Sequence, residues 1–157
     1  MKDALAARAD VSDQFTSKVA DLCRKLEADS GLKLAHVKEM NYRSSQRLQL
    51  CLDASGSPSP PPVAKWLVEF FLSSKAPLFA YRIFERTSEA EESWQPKSPK
   101  SDPAEALPLL TRVAEALERH DWAFVSASEW GTIAPGCSTE MDGVPATVFE
   151  ALFAELL

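Results

Sequence analysis

Residues 45–53 read Ser-Gln-Arg-Leu-Gln-Leu-Cys-Leu-Asp. Leu48, Leu50 and Leu52 alternate with Arg47, Gln49, Cys51 and Asp53, which is the period of a strand with one face in a core. Just upstream, residues 32–41 form a second strand candidate, joined to the first by the polar turn Asn-Tyr-Arg-Ser-Ser at 41–45. So short a connection predicts an antiparallel hairpin. The polar face of residues 45–53 argues against a parallel sheet covered on both sides. The fold expected is therefore α+β: a four- or five-stranded, mostly antiparallel sheet packed against about four helices.

Working outward, residues 11–30 carry Phe15, Val19, Leu22, Cys23 and Leu26 at helical spacing, with Asp10 or Ser12 as cap and Gly31 as stop. Residues 54–62 hold four prolines and predict a stiff, mobile loop. Val63, Trp66, Leu67, Phe70 and Phe71 then fit the stripe of a short helix. Residues 77–86 read as a central strand, apolar on both faces. Residues 88–103 predict a second mobile loop, acidic in its first half. A helix follows from Asp102 or Pro108, with Leu107, Leu110, Val113, Ala114 and Leu117 on its core face. Trp122, Phe124 and Ser126 mark a fourth strand, with a fifth possible near 138–142. A closing helix from Pro145 carries Val148, Phe149, Leu152, Phe153 and Leu156. The whole of 1–157 is expected to form one domain, the size of a single core.

The net charge is -6, from 17 Lys and Arg against 23 Asp and Glu. An acidic surface repels nucleic-acid phosphates and anionic membranes, so neither is an expected partner. The opening residues, MKDALAARADVSDQF, lack the apolar run of a secretory signal. The three cysteines are too sparse for a disulfide framework. Together these features predict a cytoplasmic protein.

The motifs of catalysis are missing. With 5 Gly in the chain, a glycine-built phosphate cradle is not expected. No CxxC or His-x-x-x-His spacing suggests a metal, and no cofactor is expected. His36 falls with Leu32 and Leu34 while Cys51 lies on the polar face of the next strand, so a Cys–His dyad is disfavoured. Cys23 reads as a buried thiol, Cys137 as the most exposed one, and His120 as a helix-end residue. The expected role is binding. Tyr, Trp and Arg dominate binding hot spots, which makes Trp94, Trp130, Tyr42 and Arg43 candidate anchors. Glu89, Glu91 and Glu92 would steer a basic partner.

Two closing stretches, Asp121-Trp-Ala-Phe-Val-Ser and Ala146-Thr-Val-Phe-Glu-Ala-Leu-Phe153, resemble the C-terminal part of the immunity proteins carried beside bacterial polymorphic toxins. That resemblance implies a small acidic cytoplasmic protein, not an enzyme, which binds and neutralises a cognate toxin or effector domain. It carries no binding residue across. The alternatives are an adaptor or chaperone for a secreted protein, and a small thiol-dependent enzyme using Cys137 or Cys51 with His36.

Overall fold

A computed structural model of the chain describes residues 1–10, 12–37, 44–88, 93–139 and 143–154. Two helices open it, α1 (Lys2–Ala6) and α2 (Asp13–Ser30). Ser12 caps α2 by accepting from the Phe15 amide, and Gly31 ends it at φ 71°, a conformation that glycine adopts without steric cost. Next come β1 (Ala35–Val37), β2 (Ser45–Leu52), β3 (Trp66–Ser73), β4 (Leu78–Ser88) and β5 (Ser93–Pro96). They pair in chain order, each antiparallel to the next. After α3 (Leu107–Arg119), the short β6 (Ala123–Phe124) pairs parallel with the start of β4. The helical turn α4 (Ala127–Trp130) leads to β7 (Ile133–Ser138) and β8 (Pro145–Thr147), which form a separate two-stranded sheet. A π-helical turn spans Glu150–Ala154. The architecture is α+β with a mostly antiparallel sheet, as residues 45–53 led one to expect.

The sheet has a core on each face. On one side Val19, Leu22 and Leu26 of α2 and Leu110, Val113 and Leu117 of α3 pack on Leu48, Leu50, Val68, Phe70, Phe79 and Ile83. On the other, Leu5, Val125, Trp130, Val148, Leu152 and Phe153 pack on Phe71 and Ala80. The closing turn is docked by two serines of the sheet. Ser73 donates to the Leu152 carbonyl at 2.8 Å, and Ser45 donates to that of Phe153.

Several expectations need correcting. Residues 66–73 are a strand, not part of a helix, and every residue in it is buried. With helices on one face and the second core on the other, β3 needs apolar groups in both directions, so its alternation disappears. Residues 93–96, expected to be loop, pair with β4 across a hairpin. The stretch 54–62 is tied down: Asp53 Oδ1 accepts from the Ser55 and Ser57 amides, and Ser59 N donates to Cys51 O at 3.0 Å. Residues 145–147 form strand β8, and the closing helical turn starts after them. Leu107 is exposed, because Ala106 caps α3 and puts Leu107 in its unpacked first turn.

Candidate functional site

The residues expected to catalyse stand apart. His36 Nε2 lies 2.6 Å from Gln46 Oε1, and the Gln46 amide donates to Thr16 Oγ1 at 2.7 Å. This chain ties β1 and β2 to α2. The register pairs His36 with Leu48, so Cys51, an odd number of residues on, faces the opposite side of the sheet. Burial pushes the Cys51 thiol up, away from the thiolate that a nucleophile needs. Cys23 is pushed up to about 11, first by burial and then by the Glu27 charge. Cys137 Sγ lies 3.6 Å from the Leu5 carbonyl oxygen. His120 Nε2 meets Asp29 Oδ2 at 2.7 Å and fastens the end of α3 to that of α2. Among the described residues no three His, Cys, Asp or Glu side chains come together as a metal site, and no helix is long and apolar enough to cross a membrane.

The binding candidates divide. Tyr42, Arg43, Glu89, Glu91 and Glu92 lie outside the described residues. Trp130 belongs to the second core, with 8% of its surface exposed, so the expectation of an exposed anchor is corrected. Its Nε1 donates to the Val125 carbonyl at 3.1 Å, and its ring packs on Phe149 at 5.2 Å. A capping box at Ser126 and Glu129 builds the helical turn that turns Trp130 inward.

Trp94 is the candidate that remains at the surface, half-buried on β5. The hairpin register sets it opposite Arg86 of β4, and cross-strand pairs share a face. The Arg86 guanidinium sits over the Trp94 ring, 5.0 Å from its centroid. It also donates to the carbonyl oxygens of Pro61 and Pro62. Proline-rich residues 58–62 thus serve as a fixed acceptor shelf. Arg86 spans from that shelf to the ring and holds Trp94 in one orientation. A cation over an indole is worth about 0.5–1 kcal/mol at such a site. Thr87 and Ser93 close the hairpin by a hydroxyl contact of 2.6 Å.

Beside this platform lies an open groove of about 660 Å³ lined by Pro62, Val63, Lys65, Arg86 and Thr87. Val63 is 67% exposed, the most open of the large apolar side chains described. Lys65 Nζ lies over the Trp66 ring at 4.8 Å. The end of the β4–β5 hairpin therefore combines a fixed indole, an exposed valine and two cations. In the chain, Glu89, Glu91 and Glu92 fall between its two strands. Arg86 was not singled out by its sequence, and Val63, expected on the apolar stripe of a helix, ends the exposed 3-10 turn Pro61–Val63 instead. Only the hairpin pairing, which needs β5, puts Arg86 beneath Trp94.

Compared with known protein families, with curated proteins and with solved structures, the chain matches none.

Proposed function

We propose that this chain is an immunity-type protein of the bacterial cytoplasm, which binds a cognate toxin or effector domain one to one and neutralises it. The observation that carries this reading is the Trp94–Arg86 stack at the hairpin end. An aromatic side chain fixed before binding gives up little conformational entropy on association, and Trp and Arg are the residue types that dominate hot spots. Three glutamates between the strands and a net charge of -6 suit a basic partner surface and would speed its approach. The two segments that resemble immunity proteins meet in the second core, where Val125 packs with Val148 and Phe153. Trp122 of the first segment instead packs in the core shared with α2 and α3. The thiol-enzyme alternative, on Cys137 or Cys51 with His36, draws no support from the raised Cys51 thiol.

The test begins with the open reading frames next to this gene. Co-expression with their products should yield a one-to-one complex with a toxin domain whose activity is lost in the complex. Replacing Glu89, Glu91 and Glu92 with Lys should slow association about tenfold or more at low salt and flatten its salt dependence. A neighbouring secreted client that remains active when bound would favour the adaptor instead. If no neighbour binds, the reading fails.

A further inference from the structure

The sheet is split along one edge of β4. On that side β5 pairs no further than Phe84, and β6 no further than Phe79. Val125 N donates to Phe79 O at 2.8 Å and Lys97 N to Ile83 O at 2.8 Å. Strand alternation turns the Tyr81 N–H and C=O toward the same edge. No strand among the described residues pairs with them there. A pocket of about 160 Å³ occupies the gap, lined by Tyr81, Arg82, Lys97, Asp102, Phe124 and Trp130 among others.

Two residues of opposite charge, Arg82 and Asp102, line this pocket and do not pair with each other. The Arg82 guanidinium is held between aromatic rings, 5.3 Å from the Trp130 centroid and 4.7 Å from that of Phe149. Among the described residues it makes no hydrogen bond or ion pair, so its donors are unused. Asp102 is half-buried between the 3-10 turn Pro99–Ser101 and Pro103, and it too has no hydrogen bond or ion pair among the described residues. Of the other charged and titratable groups at the pocket, Lys97 is taken by Glu85 at 3.2 Å. The Tyr81 phenol is pushed up, first by burial and then by the Asp102 charge. A free guanidinium invites a carboxylate, and a free, partly desolvated carboxylate invites an ammonium.

We infer that the gap in the β4 edge binds a small zwitterion of the α-amino acid class, its carboxylate on Arg82 and its ammonium on Asp102. The open Tyr81 backbone adds a donor and an acceptor at the same edge. Size agrees, since a cavity of about 150 Å³ holds benzene and alanine has as many non-hydrogen atoms. Burial raises the Asp102 pKa, and a bound ammonium would reverse that by stabilising the carboxylate. This site is separate from the hairpin end, and it stands or falls independently of the immunity reading.

The test is calorimetric titration of the full chain with glycine and L-alanine, and with N-acetyl-L-alanine and L-alaninamide, each lacking one charge. Saturable binding of the free amino acids at one site is expected. Each blocked form should bind at least about tenfold more weakly, the effect of losing one charge-assisted bond. Arg82→Gln and Asp102→Asn should each produce a comparable loss. The comparison of ligands is made on the unaltered chain, so it holds even if a variant fails to fold. Absence of saturable binding by glycine and alanine overturns the inference. So does binding of either blocked form as tightly as the free amino acid.

Discussion

The Arg86 guanidinium lies 5.0 Å from the ring centroid of Trp94 and is anchored behind by two proline carbonyl oxygens. Trp66, Trp122 and Trp130 are all buried, so Trp94 dominates fluorescence quenching by a small solute. Arg86→Ala should release the indole and steepen acrylamide quenching. Quenching that stays at the wild-type level would show that Arg86 does not hold the ring.

Gly56 has φ 83°, and a Cβ there would stand 1.9 Å from the Glu105 carbonyl oxygen. Gly31 has a similar φ of 71° but open space around it. Gly31→Ala should therefore cost about 1 kcal/mol of unfolding free energy, from the left-handed backbone alone. Gly56→Ala should cost about 3 kcal/mol or more, because backbone must shift as well. Urea unfolding of the two variants decides it, and equal costs would refute the close approach of residues 54–58 to Glu105.

Lys75 is 9% exposed, and its Nζ has no hydrogen-bond partner among the described residues. Burial lowers its pKa from 10.5. The unfolded chain then binds this proton more tightly than the folded one, so wild-type stability should rise as pH climbs from the lowered value toward 10.5. Lys75→Met keeps the apolar stem and removes the ammonium. It should stabilise the fold by about 1 kcal/mol at neutral pH, with the advantage shrinking in alkaline buffer. A destabilised variant, or a difference independent of pH, would contradict this.

Cys23, held up at about 11, should react with iodoacetamide at pH 8 roughly a hundredfold or more slowly than a free thiol. Cys51 should also lag behind the free thiol, because burial raises it too. Mass spectrometry of the labelled chain would read both sites. Fast labelling of Cys51 at neutral pH would revive the thiol-enzyme alternative.

The sequence was legible where one face of an element meets water. α2 announces itself by Phe15, Val19, Leu22 and Leu26 and by Ser12 and Gly31 at its ends. β2 does so by its alternating leucines. β3 gave no such contrast: covered on both faces, its run of Trp66, Leu67, Val68, Phe70 and Phe71 fits a helix stripe as well as a strand. β5 and β6 are short and owe their pairing to β4 rather than to their own residues. At the candidate site Trp94 stood out as an aromatic in a polar stretch. Its partner Arg86 did not, because a cross-strand pair is visible only once the register is known. Trp130 misled for a related reason, since the capping box that turns it inward depends on Ser126 and Glu129 folding together.

On the proposed function, the hairpin end binds a protein partner through Trp94. The measurement that tests it most directly is calorimetric titration of the co-expressed toxin domain with the wild-type chain and with Trp94→Ala. One-to-one binding weakened about thirtyfold or more by the substitution is predicted, the scale of a hot-spot residue, with the fold's melting temperature little changed. A Trp94→Ala chain that binds and neutralises the toxin as the wild type does would contradict the account.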